Sequence, residues 1–306
     1  MQENKSVINV LLVIIMILVV VACVVTYMCL TNEVEIIEPK KEDILFSIEN
    51  YPKIDGSTAT LPLAEAFKAD FTGTDINEVE VEHSKTHNAY INLINGNTDL
   101  ILVTYPSEDE QKLAEDQGVE LEIVPIVKEA FVFFVNKENP VENLTLSQIQ
   151  NIYSGKIKNW KDVGGADKEI VAFQRPENSG SQTGMQKLVM QGIKMMEPTT
   201  ETISQSMADI IDVISDYDNR DTSIGYSYYY YASTMYTSDT MKLLSINGIK
   251  PTYENIQTGL YDIQTAYYAV IRKDETEDSN TRKLLNAMMS ERGQKVAKEA
   301  GYVQNY

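Results

Sequence analysis

Apolar and polar positions change in short blocks along this chain, and each block reads as a strand or as one face of a helix. Leu63, Ala66, Phe67 and Phe71 recur at helical spacing, and Pro62 suits the first turn of such a helix. VEV at 79–81 alternates as a strand does, after which Tyr90, Leu93 and Ile94 return to helical spacing. LILV at 100–103, FVFFV at 131–135 and IVAF at 170–173 are unbroken apolar runs of strand length, the pattern of strands buried on both faces. Met185, Leu188, Val189 and Ile193 share one more helical face. Strands alternating with helices predict an α/β fold with parallel sheets covered on both sides. No internal repeat interrupts this plan. The tyrosines of IGYSYYYYA at 224–232 read as a strand end that packs aromatics, and DETED at 274–278 as a solvated loop.

The N-terminus differs from everything after it. Val10 to Leu30 contains no charged residue and is long enough to cross a bilayer core of roughly 30 Å. It reads as an export signal or an anchor. Val20, Val21 and Ala22 before Cys23 resemble the small-residue box that precedes a lipid-modified cysteine, which makes Cys23 a candidate for lipidation. The apolar run continues past Cys23 to Leu30, and this favours an uncleaved helix. Cys23 and Cys29 are the only cysteines, so the rest of the chain has no disulfide and no thiol chemistry. Residues 31–43 are polar and read as a tether, so 1–43 form one segment of signal or anchor plus tether.

Charge narrows the function. With 45 Asp plus Glu against 26 Lys plus Arg, the net charge of −19 argues against nucleic acid or an anionic membrane surface as the main partner. An anion must therefore be captured locally. Three predicted strand-to-helix junctions carry suitable donors: Gly56, Ser57 and Thr58; Ser84 and Thr86; and Arg175 followed by Ser179, Gly180 and Ser181 in RPENSGSQTG. A helix N-terminus leaves backbone N–H groups unpaired and carries partial positive charge, so it can hold an oxyanion with few cationic side chains. Glycine lets the backbone approach closely, and one guanidinium can grip two oxygens. The plainer alternative is that each Ser or Thr only caps its own helix. His83 and His87, the two histidines, stand four apart, but no third ligand is placed beside them and no metal is predicted. There is no P-loop spacing, no G-x-S-x-G elbow and no visible catalytic base, so neither an enzyme nor a cofactor is expected.

Several stretches in order carry a resemblance: YPKIDGSTATLPL, INGNTDLILVTYPSEDE, LTLSQIQNIYSGKIKNWKDVGG, FQRPENSGSQTGMQ, IGYSYYYYA, INGIKPTYENIQTGLYD and SERGQKVAKEAGYV. From about Ile44 onward the chain resembles the phosphate-binding group of substrate-binding proteins that serve ABC importers, within the type II periplasmic binding proteins. The resemblance implies a two-lobed α/β fold with two hinge crossovers, preceded here by the N-terminal membrane helix. Lobe 1 would comprise 44–130 plus 266–306 and lobe 2 residues 131–265, with FVFFV and AYYAVI as the crossing strands. It also implies that Ser57 and Thr58 form a first phosphate loop, that Ser84 belongs to a second, and that Arg175, Ser179, Gly180 and Ser181 clasp the oxyanion.

Two departures stand out. Thr104, itself an expected ligand-binding residue, occupies the position where some members carry an aspartate that accepts the proton of hydrogen phosphate, and Asp55 is the candidate substitute acceptor. His83, Lys85 and His87 replace the glycines and small residues usual in the second loop, which admits a larger or different ligand. The implied function is extracytoplasmic capture of phosphate or a related oxyanion for the permease subunits of an ABC importer, with the membrane as a further partner through the N-terminal helix or a lipid. The alternative is a membrane-tethered sensor or interaction protein on the same scaffold.

Overall fold

In a computed structural model, residues 44–198, 203–204, 206–215 and 221–306 are described, together with Met16 and Val19, which are helical and exposed. The rest of the predicted membrane helix, the candidate lipidation site Cys23 and the tether lie outside the described residues. Among the described residues no helix is long and apolar enough to cross a membrane.

The strands are β1 (Ile54–Gly56), β2 (Leu100–Val103), β3 (Leu121–Asn136), β4 (Asn143–Leu144), β5 (Val171–Ala172), β6 (Ser223–Tyr228), β7 (Met241–Leu243), β8 (Ser245–Ile246), β9 (Gln264–Arg272) and β10 (Val303–Gln304). The main sheet runs β1-β2-β9-β3-β6-β5, with β7 and β10 also paired to β3, while β4 and β8 pair separately. Only its two ends are parallel, β1 with β2 and β5 with β6. The centre is antiparallel, so the expected parallel sheet is corrected to a mixed one. The reason is that the long β3 and β9 lie side by side in opposite senses, which alternating helices and strands in the sequence do not reveal.

β3 changes neighbours along its length. Residues 121–130 pair with β9, and Phe131 to Val135 pair with β6. The FVFFV segment is covered on both faces, and Phe131, Phe133 and Phe134 are among the largest fully buried side chains. Beside the switch, the Glu129 carboxylate is buried and accepts the amides of Ala130 at 2.8 Å and Tyr230 at 3.3 Å. Burial pushes its pKa up to about 8, against the opposing pull of these amides.

Apolar periodicity places the helices well. The Leu61–Thr72 helix buries Leu63, Ala64, Phe67 and Phe71, stacks the two phenylalanine rings at 5.5 Å, and ends at Gly73 with φ 68°. The Thr86–Ile94 helix buries Ala89, Tyr90 and Leu93 against Ile101, Val103 and Val270. Leu100 and Leu102, on the opposite face of β2, join the main core instead, as the two-residue period of a strand requires.

Three local expectations change. VEV at 79–81 forms no strand. Lys68 Nζ takes the Glu80 carbonyl at 2.7 Å and Asp55 takes the Ser84 amide at 2.6 Å, so side chains rather than a backbone ladder hold this segment to its neighbours. Alternation reports one buried face, which an unpaired extended segment also has. IVAF contributes only the short β5. The helix after Ser179 is α-helical over Gly180–Gly184 and then π-helical over Met185–Met190, so the wider turn ends the 3.6-residue register and Ile193 falls beyond it, 38% exposed.

Candidate functional site

The C-terminal ends of β1 and β2, which are parallel neighbours, open beside the Arg175–Ser181 segment. This is the usual place for a ligand in an α/β sheet. Between them lies a cavity of about 620 Å³ lined by Ser57, Thr58, Thr86, Thr104, Arg175, Ser179, Gly180 and Ser181, among other residues. Seven of the eight residues predicted to bind the ligand therefore face one space.

Close backbone approach builds the floor. A Cβ at Gly56 would stand 2.6 Å from the Leu102 carbonyl oxygen, so only glycine lets β1 turn into Ser57 there. A Cβ at Gly180 would stand 2.7 Å from both Thr86 Oγ1 and Thr104 Oγ1. Gly180 thus brings the start of its helix against two hydroxyls from the opposite wall. Thr104 is 3% exposed, and its Oγ1 is buried beside the Tyr228 hydroxyl without a well-aligned hydrogen bond, while its carbonyl accepts the Tyr90 hydroxyl at 2.8 Å. The Tyr228 hydroxyl donates to the Gly180 carbonyl at 2.9 Å, and its oxygen remains able to accept from Thr104. What sets this hydroxyl apart from other buried polar groups is its place on the cavity wall beside Gly180 and Thr86, where an entering ligand could reach it.

Arg175 lies at the same depth, 9% exposed. Its Nε donates to the Ser204 carbonyl at 2.8 Å and its Nη1 lies 3.5 Å from Ser181 Oγ. The Arg175 amide donates to Gln182 Oε1 at 3.2 Å and to the Tyr226 hydroxyl oxygen at 3.1 Å, and Tyr226 in turn donates to Gln182. The amide bonds hold the Arg175 backbone, and the Nε bond to Ser204 holds its side chain. Burial lowers the guanidinium pKa from its ordinary value, with the charge of Asp209 acting the other way. A desolvated cation on a floor of hydroxyls and helix-start amides is suited to an oxyanion.

Not every predicted residue serves this floor. Ser84 and Asp55 do not line the cavity. The Asp55 carboxylate accepts the Gly56 amide at 2.7 Å, the Ser84 amide and hydroxyl at 2.6 Å each, and Asn92 Nδ2 at 2.8 Å. Four donors saturate it, so the proposed proton acceptor is corrected to a clasp that ties β1 to the loop before the Thr86–Ile94 helix, with Ser84 as its partner. Ser179 lines the cavity, yet its Oγ caps its own helix by accepting the Gln182 amide at 3.2 Å. Ser57 Oγ lies 3.1 Å from Thr60 Oγ1.

Thr86, Tyr228 and Tyr231 also line the cavity, so the tyrosine run contributes to the site besides packing, Tyr228 standing edge-on to Phe131 at 5.3 Å. Thr86 was the next hydroxyl in the same junction as Ser84. No short pattern marks Tyr228 and Tyr231.

The mouth is lined by His83, Lys85 and His87 on one side and by Glu177 and Asn178 on the other. The helix begins only at Thr86, so His83 and His87 do not share a helical face. His87 Nδ1 lies 3.0 Å from Glu110 Oε1. Among the described residues no group of three or more His, Cys, Asp or Glu could hold a metal ion. Lys85 caps the helix with φ 72° and ψ 162°, a conformation nearly reserved for glycine that costs on the order of 1–3 kcal/mol in any other residue.

The model of a PBP superfamily domain matches residues 51–292. The phosphate-binding protein PstS of Bacillus subtilis is 30% identical over 260 residues, covering 82% of this chain and 79% of its own length. PstS of Staphylococcus epidermidis is 28% identical over 262 residues, covering 82% of this chain and 78% of its own. Among solved structures, a phosphate ABC transporter substrate-binding protein from Clostridium perfringens with bound phosphate superposes with a TM-score of 0.68 at 26% identity, over 84% of this chain and all of that one.

Proposed function

This chain belongs to the PstS phosphate-binding proteins of the PBP superfamily, and from that premise we propose that it captures inorganic phosphate outside the membrane and delivers it to the permease subunits of an ABC importer. The observation that carries the reading is the floor itself: the buried Thr104 and Thr86 hydroxyls against Gly180, in one cavity with the buried Arg175. In this reading the anion rests on Thr86, Thr104, Ser181, Arg175 and the first amides of the helices that begin at Thr58 and Gly180. Ser57 and Ser179 shape those helix starts. Thr104 can donate to or accept from a phosphate oxygen, so it serves a protonated or an unprotonated oxygen equally.

We further propose that residues 44–130 with 266–306 and residues 131–265 form two lobes hinged where β3 changes partner. Asn178 Nδ2 donates to Asp109 Oδ2 at 2.9 Å, and Lys187 Nζ to the Pro106 carbonyl at 2.8 Å, contacts that would close the lobes over the ligand and exclude water. Residues 10–30, with or without lipid on Cys23, would keep the binding unit at the membrane. Isothermal titration with phosphate, sulfate and molybdate tests the reading. Phosphate heat is expected; no heat from any of the three would refute it, and heat from sulfate alone would change the ligand.

A further inference from the structure

Arg175 stands beyond the end of β5, and its backbone is held by side chains rather than by a ladder. The Phe173 amide still donates to the Ile224 carbonyl of β6 at 3.0 Å. Two residues later the Arg175 amide donates instead to Gln182 Oε1 at 3.2 Å and to the Tyr226 hydroxyl oxygen at 3.1 Å, while the Tyr226 hydroxyl itself donates to Gln182 Oε1. The three groups close a ring. All three residues are buried, so water cannot replace a lost partner. Burial pushes the Tyr226 hydroxyl pKa up, against the pull of the Arg175 amide and charge, which keeps it a donor. Gln182 makes a second connection, because its own amide donates to Ser179 Oγ at 3.2 Å in the cap of the Gly180–Gly184 helix. One residue therefore joins the buried cation to the helix start on the same cavity. Tyr226 and Tyr228 stand two apart on β6 and share a face. Both rings rest on Phe131, at 5.5 and 5.3 Å, and the Tyr228 hydroxyl holds the Gly180 carbonyl at 2.9 Å. Gln182 and Tyr226 do not line the cavity and stand behind its wall.

We infer that Gln182 and Tyr226 are positioning residues for anion capture, which hold the Arg175 guanidinium and the amides of the Gly180 helix start in one fixed relation. This rests on the reading of the floor as a phosphate site and adds to it the residues through which the cation acts. A cation already fixed in the free protein loses less freedom when the anion arrives, so releasing it weakens binding without removing any contact. Titration calorimetry of the full chain with inorganic phosphate tests this on a cycle of variants. Gln182→Met keeps the length of the side chain and the backbone cap on Ser179 but removes the acceptor, and Tyr226→Phe keeps the ring but removes the hydroxyl. Gln182→Met is expected to weaken phosphate binding at least tenfold and Tyr226→Phe at least fivefold. Each should change affinity less than twofold when Arg175→Ala is already present, because a residue that acts through Arg175 then has nothing left to position. Losses of the same size with and without Arg175 would reduce the pair to structural support and overturn the inference, as would a change below threefold in both single variants. Should Gln182→Met fail to fold, Tyr226→Phe carries the cycle alone with the same outcomes. Absence of phosphate heat with the wild-type chain would instead sink the phosphate reading of the floor.

Discussion

Two small polar clusters flank the same pair of parallel strands, and they solve the burial of polar groups in opposite ways. At the clasp, Asp55 receives four donors from Gly56, Ser84 and Asn92, and nothing is left over. At the floor, Thr104 Oγ1 is as deeply buried but lacks a well-aligned bond, and Arg175, which lines the same cavity, is held through its backbone by Gln182 and Tyr226 and through its Nε by the Ser204 carbonyl. Residue types and positions at strand-to-helix junctions are alike in the two. In the proposed reading the two differ in what is left open: a fully matched buried group has no reason to exchange its partner for a ligand, whereas a loosely held one on a cavity wall can take one.

Substitutions can break this contrast. Arg175→Ala should weaken phosphate binding by about 2–5 kcal/mol, the usual loss when one side of a desolvated charge pair is removed. Titration calorimetry reads it, and a change below threefold would show that the floor is not the anion site. Glu129 tests whether a carboxylate held by backbone amides, as at the clasp, still suffers from burial. Its folded pKa of about 8 lies above the ordinary 4.5, so the folded state holds an extra proton between these values. Its contribution to stability is full below about 4.5, falls as pH rises and is lost above about 8, by on the order of a few kcal/mol. Thermal unfolding from pH 5 to 9 should show this fall, and Glu129→Gln should flatten it; an unchanged slope would place the titration elsewhere.

Smaller effects sharpen the comparison further. Thr104→Val keeps the shape and removes the cavity-wall hydroxyl, so phosphate affinity should drop by about 1.5–3 kcal/mol while the unfolding temperature changes little. Ser84→Ala should do the reverse, with about 1 kcal/mol of stability lost and phosphate affinity within threefold. If the two variants behaved alike in calorimetry and thermal unfolding, the distinction between clasp and floor would fail.

Much of this was legible in the chain. Leu63, Phe67 and Phe71, and likewise Tyr90 and Leu93, announce helices because one apolar face must be buried, and this period survives any tertiary arrangement. LILV and FVFFV announce strands covered on both faces for the same reason. The run from Arg175 to Ser181 announces a helix start with donors, since cap preferences are local. VEV misled because alternation records burial and not pairing.

The sequence alone determined which segments are helical or extended, which faces turn inward, and that hydroxyls, glycines and one arginine stand at helix starts, all consequences of interactions within a few residues. Tertiary structure decided which hydroxyl is tied up in a clasp and which lines the cavity. Ser84 meets Asp55 across 29 positions, and Gly180 meets Thr86 and Thr104 from still farther along the chain. Whether a buried polar group finds a partner depends on what the fold brings beside it, and no local pattern encodes that neighbour.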